Sequence, residues 1–213
     1  MPYPLGRPFG VPDDVNFQHR VLDAALNLLV QDQQVFEEYQ EDAPAMAQGS
    51  DDAWVCPVSF AKPNENVSIA EEVLSEMALL QPWYDKGLER RSTSVGVSGM
   101  DLDVAVNFVS RFVDKDAIHQ TPDSNTTTAD LLKYAVEDIK AFYNEAATSQ
   151  PGTATVKGLE DWYWGTTSAG KMVRAVKQAC ADHEDGIIRI AAGFLLVPGS
   201  QSYRDQSSEV IKN

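Results

Sequence analysis

Apolar residues recur at three- and four-residue spacings in several stretches of the chain, the period of a helix with one buried face. Phe17, Val21, Leu22, Ala25, Leu28 and Leu29 predict the first such helix, with Asp13 or Asp14 placed to cap it. Ser68 followed by Glu71 has the form of a capping box, in which hydroxyl and carboxylate each satisfy an orphan amide. Ile69, Val73, Leu74, Met77 and Leu80 carry that start forward as an apolar stripe, with its end expected at Pro82. Helical spacing returns from Asp101 through Val104, Ala105, Phe108, Val109 and Phe112. The longest pattern follows Thr127 and runs through Leu131, Leu132, Ala135, Ile139, Phe142 and Ala146 toward Pro151, about five turns at ~3.6 residues each. Residues 159–164, 168–181 and 185–196 predict three further helices, the last stopped by Pro198 and Gly199.

The intervening segments lack that period. Residues 41–52 read as an acidic, small-residue loop, residues 54–60 as extended chain broken by prolines, and residues 119–127 as a polar loop. Residues 90–99, with Val95 and Val97 between glycines and serines, fit a short strand or a turn. Strand signals are otherwise sparse and no repeat of fixed period occurs. The expected fold is therefore mostly α: a single-domain multi-helix bundle over residues 14–198, preceded by an extended Pro/Gly-rich N-terminal arm (1–13) and followed by a polar tail (199–213). Tyr3, Leu5, Phe9 and Val11 give the arm apolar groups for docking, either on its own domain or on a partner chain.

Composition narrows the function classes. The 213 residues include 17 basic and 32 acidic side chains, a formal net charge of −15. Such an anion has no footprint for a phosphate backbone or an anionic membrane, so neither nucleic acid nor membrane is an expected partner. Hydrophobic residues make up 43% of the chain without any run near the ~20 residues of a membrane span. Cys56 and Cys180 are too few for a disulfide framework, and the first residues lack the basic-then-apolar order of a signal peptide, which points to a soluble cytoplasmic protein. The acidity also has a reading without function, as adaptation to high salt.

Residue spacing bears on several chemistries. Gly165, Gly170 and Lys171 reproduce the GxxxxGK spacing of a phosphate loop, but Met172 stands where a magnesium-binding hydroxyl belongs. A helix start capped by Thr167 or Ser168, with Gly170 allowing close packing, explains the same residues. His19, His119 and His183 share no helical face and sit in no ExxH pair; His183, within the run Asp182, His183, Glu184, Asp185, suits a charged helix junction better than a metal site. No metal or cofactor is implied. Glu72 and Glu76 lie one turn apart and would form an acid/base pair if buried, although acidic residues in a first turn usually complement the helix dipole. Glu137, Asp138 and Glu145 lie on or beside the apolar face of the longest helix and are the candidate catalytic carboxylates; a solvated face with Lys133 and Lys140 as ion partners of Glu137 is the alternative. Trp162, Tyr163 and Trp164 form a candidate recognition surface, because three consecutive aromatics on one short helix are not expected all to face inward and at least one should meet solvent or a partner; core packing is the equal alternative.

One resemblance extends over roughly the first thirty residues. Tyr3, Pro4, Leu5, Gly6 and Pro8, followed by Arg20, Val21, Ala24, Ala25, Leu26 and Leu29, resemble the arm and following helix near the C-terminus of selenoprotein B of the glycine, sarcosine and betaine reductases. Those proteins cleave carbon–nitrogen bonds reductively through a selenocysteine or cysteine, and no such redox motif is present here, so no catalytic residue carries over. The resemblance implies a helical accessory subunit of a reductase-like complex whose partner holds the chemistry. Two functions follow for testing. One is a non-catalytic accessory or structural subunit that binds a protein partner or a second copy through Tyr3, Leu5, Phe9, Trp162, Tyr163 and Trp164. The other is a small helical enzyme using Glu137, Asp138 or Glu145 with a histidine.

Overall fold

The computed structural model describes residues 9–10, 14–31, 39–41, 60, 67–113, 126–151, 155–199 and 201. Seven α-helices form among them: α1 (Val15–Leu28), α2 (Ile69–Leu88), α3 (Leu102–Ser110), α4 (Thr128–Thr148), α5 (Val156–Thr166), α6 (Ser168–Ala179) and α7 (Gly186–Ile190), which continues as a π-helical stretch (Ala191–Leu195). No strand occurs among the described residues, and the chain is a mostly α single domain, as the apolar spacing predicts. Most of the arm, the segments 42–59 and 114–125, Cys56, His119 and nearly all of the tail lie outside the described residues.

The caps read from sequence are present. The Asp14 side chain accepts from the Phe17 amide, Thr127 accepts from the Asp130 amide, and the reciprocal box of Ser68 and Glu71 opens α2. Backbone and hydroxyl donors of Ser68 hold the Glu71 carboxyl below its ordinary pKa. Helix α2 runs past its expected end at Pro82 to Leu88. Proline removes the bond to the carbonyl four residues earlier, but Ala78, Gln81 and Pro82 all lie on the exposed side of α2, where water can serve that carbonyl.

Helix α4, roughly six turns long, is the axis of the bundle and packs against α2, α3, α5, α6 and α7. Leu132, Ala135, Ile139, Phe142 and Ala146 of its predicted stripe are fully buried, facing Val73 and Leu80 of α2, Val106 and Val109 of α3, and Met172, Val173 and Val176 of α6 in one apolar core. Helix α1 departs from its predicted face. Phe17 and Val21 are buried in a small cluster with Val156, whereas Leu22, Leu26, Leu29 and Val30 remain exposed. An amphipathic pattern states that a face is apolar; what covers it is decided by the neighbouring elements.

Candidate functional site

The three carboxylates of α4 expected to carry catalysis do different work. Asp138 is fully buried, and its Oδ1 accepts from the amides of Gly96 (2.8 Å) and Val97 (2.9 Å) while its Oδ2 accepts from the amide (2.9 Å) and hydroxyl (2.5 Å) of Ser98. One turn of chain, with Gly96 at φ +115° in a region closed to most side chains, wraps the carboxylate with donors. Glu145, two turns further along α4, accepts from the Ser94 amide at 2.7 Å, and the Arg91 guanidinium donates to the Glu145 carbonyl and the Thr148 hydroxyl. Residues 90–99, expected as a short strand or a turn, thus turn at Gly96–Gly99 and are latched to α4 by Asp138 and by one oxygen of Glu145, whose Oε2 is buried without a hydrogen-bond partner. Glu137 is partly exposed on the same helix, but Lys133 and Lys140 lie over the rings of Tyr134 and Trp164 rather than pairing with it.

The carboxylate pair of α2 is brought together at the start of α6. Glu76 is buried; both of its oxygens lie 2.9 Å from the Ser168 amide, and it accepts the Tyr143 hydroxyl at 2.8 Å. Glu72 accepts the Ser168 hydroxyl at 3.1 Å. An anion at a helix N-terminus meets orphan amides and the positive end of the dipole, and here the chain supplies that anion itself. Burial raises the Glu76 pKa, opposed by its bonds to Ser168 and Tyr143 and by the charge of Lys171. Burial, then the Glu76 charge, keeps the Tyr143 hydroxyl protonated far above the ordinary range.

The raised Glu76 pKa fixes a pH dependence. A carboxyl that holds its proton more tightly when folded contributes stability that is full below its unfolded value, near 4.5, and is lost as pH rises through the folded value. Glu76→Gln removes that titration. Urea midpoints of the two proteins at pH 4 and pH 7 should therefore show the variant gaining on the parent as pH rises; a relative loss would mean that the charge is stabilising in place.

Trp162, Tyr163 and Trp164 are all buried, so that of the two alternatives, core packing and a surface meeting solvent or a partner, the chain takes core packing. Three successive helical residues span about 200° of azimuth, and α5 is enclosed on more than one side. Trp162 stacks with Phe60 and lies near Tyr143, Tyr163 meets Tyr143 edge-on, and Trp164 meets Tyr163 edge-on beneath the Lys140 ammonium. The Tyr163 hydroxyl is buried without a hydrogen-bond partner, and its proton is held by burial and by the charges of Glu137 and Glu76. The GxxxxGK segment is a helix junction. Thr167 ends α5 and caps α6, donating to the Tyr163 carbonyl and accepting from the Gly170 amide.

Of the arm residues expected to bind a partner, Tyr3 and Leu5 lie outside the described residues and Phe9 is partly exposed. His19 is exposed near the start of α1, and His183 accepts from the Asp185 amide through Nδ1 ahead of α7, far in sequence from the candidate carboxylates. Among the described residues no group of three or more His, Cys, Asp or Glu side chains is placed to hold a metal ion, and no helix is long and apolar enough to cross a membrane.

The remaining feature is the C-terminal helical segment, residues 186–195. Ile188, Ala191 and Ala192, with Leu196 and Val197 beyond, are buried in the main core, where the segment packs on α4 and α6. Its other side is equally apolar and uncovered: Ile187 is 60% exposed, Ile190 60%, Phe194 81% and Leu195 50%. Ile187 and Ile190 lie about one turn apart in α7, and the exposed ridge continues through Phe194 and Leu195 of the π-helical stretch that follows.

No family model, characterised protein or solved structure matches the chain. Function therefore rests on the geometry. The sequence placed a helix over 185–196 but did not single out its second apolar side. The signal was present, since Arg189 is the only charged residue between Gly186 and Gly199, and a helix apolar all round needs cover on every side.

Proposed function

We propose that the chain is a non-catalytic accessory or structural subunit that docks on a protein partner through the exposed ridge of its C-terminal helical segment. The observation that carries the proposal is the ridge itself: Ile187, Ile190, Phe194 and Leu195 lie half or more exposed within nine residues whose opposite side is core. Isolated exposed apolar residues are ordinary, but a contiguous group on one element marks an interaction surface. Two of the candidate groups support the same view, since Asp138 and Glu76 have their oxygens directed at the chain's own amides and hydroxyls. Leu22 and Leu26 of α1, with Leu29 at its C-cap, offer a second apolar contact. Through the resemblance of residues 3–29, a reductase-like complex is one class of partner in which the chemistry would reside elsewhere.

Phe194→Asp in the full chain is the test. A side chain 81% exposed makes the expected change in stability less than about 0.5 kcal/mol. Native mass and co-purification from the source cell should show a stoichiometric partner on the parent protein and its loss from the variant. A parent that runs as the same lone monomer as the variant would overturn the proposal.

A further inference from the structure

We infer that the segment seated on this ridge is a cationic amphipathic helix of the partner, an inference that rests on the docking function proposed above. The ridge begins immediately after Asp182, Glu184 and Asp185, all three exposed. Among the described residues none of the three is in an ion pair, and one cation lies beside them. Arg189, the only cation between Gly186 and Gly199, turns its guanidinium back onto the carbonyls of His183 and Glu184. His183 accepts from the Asp185 amide through Nδ1. Asp185 uses one carboxylate oxygen to cap Ile187, which leaves its charge in place. An apolar ridge is thus bordered at its N-terminal end by three exposed carboxylates facing the single cation Arg189, an acidic rim on a chain whose formal net charge is −15.

The ridge runs over residues 187–195, roughly two turns of α7 and the π-helical stretch that continues it, against which two turns of a partner helix could lie. Side-chain ridges at three- and four-residue spacing fit the grooves of another helix, and no strand edge for pairing an extended peptide occurs among the described residues. A partner helix with an apolar stripe would bury Phe194 and the isoleucines, while lysines or arginines beside that stripe would meet Asp182 and Glu184. The same rim argues against other occupants. A second copy brings a second acidic rim and another net charge of −15, and an anionic lipid surface is repelled for the same reason.

The probe is a labelled model peptide of leucine and lysine, about four turns long with a helical apolar stripe, compared with its leucine–glutamate counterpart by fluorescence anisotropy. The lysine peptide should bind the full chain and weaken roughly tenfold with Phe194→Asp. It should weaken several-fold with Asp182→Asn combined with Glu184→Gln, and also as salt rises from about 50 to about 200 mM. Asp185 is left unaltered because it caps α7. Lysine-peptide binding that ignores Phe194→Asp would be general attraction to an anionic chain and would overturn the inference. So would binding of the glutamate peptide, Phe194-dependent binding to anionic vesicles, or Phe194-dependent doubling of the native mass. If neither peptide binds while a Phe194-dependent partner still co-purifies, the cationic helix is wrong and the docking function stands; if no such partner exists, the docking function itself fails.

Discussion

Asp138→Ala should cost about 3–4 kcal/mol and lower the melting temperature by roughly 10 °C, the largest effect expected of any single polar substitution in this protein. The carboxylate is fully buried and accepts four hydrogen bonds from three consecutive residues. Bonds to a charged acceptor contribute more than neutral ones, and removing the acceptor leaves the Gly96, Val97 and Ser98 amides to find water. The loss should be concentrated in that segment. Hydrogen exchange should show these amides protected in the parent and open in the variant, while amides of the α2–α4 core keep their rank order. A variant that melts within a degree or two of the parent, with residues 96–98 still protected, would show that the latch is held by something other than Asp138. Asp138→Asn should fall between the two, because an amide group offers one acceptor oxygen and turns a donor toward the remaining donors.

Gly170→Ala adds one carbon and should still cost about 2–3 kcal/mol. A Cβ at this position would lie 2.2 Å from the Tyr163 carbonyl oxygen and 3.1 Å from the Trp164 Cα, both backbone atoms that no rotamer change can move. The first turn of α6 must then retreat from the end of α5. That motion pulls on the Thr167 cap and on the Ser168 amide held by Glu76. The denaturation midpoint and the near-ultraviolet signal of the buried Trp164 should report it together. Gly193→Ala is the matched control, because its Cβ meets nothing within 4 Å and helical propensity favours alanine. Equal effects of the two substitutions would rule out the close approach as the reason for glycine at position 170.

The two glycines illustrate how far a sequence can be read. Periodicity and capping are local properties, carried by residues three or four apart, so the helices and the caps at Asp14, Ser68, Thr127 and Thr167 could be located from the chain alone. The glycine and threonine at the start of α6 were likewise recognisable as a packed helix junction. The fate of the carboxylates was not recognisable, because Asp138 meets donors forty residues away and Glu76 meets one ninety-two residues away. A carboxylate beside an apolar stripe can be a proton-transfer group or a latch, and only the chemistry of the opposing surface separates these outcomes.

The sequence by itself determined the mostly helical class, the starts of α1, α2, α4 and α6, and a net negative charge that disfavours phosphate backbones and anionic surfaces; α5, expected from residue 159, begins three residues earlier behind Thr155. The tertiary structure decided which apolar faces are covered. Trp162, Tyr163 and Trp164, an apparent recognition surface in sequence, are enclosed by the bundle and Phe60, whereas Ile187, Ile190 and Phe194, an ordinary helical stripe in sequence, stand in solvent. The physical reason is common to both. Hydrophobicity is a property of a residue, but burial is a property of the elements brought against it, and their arrangement depends on contacts between residues far apart in the chain.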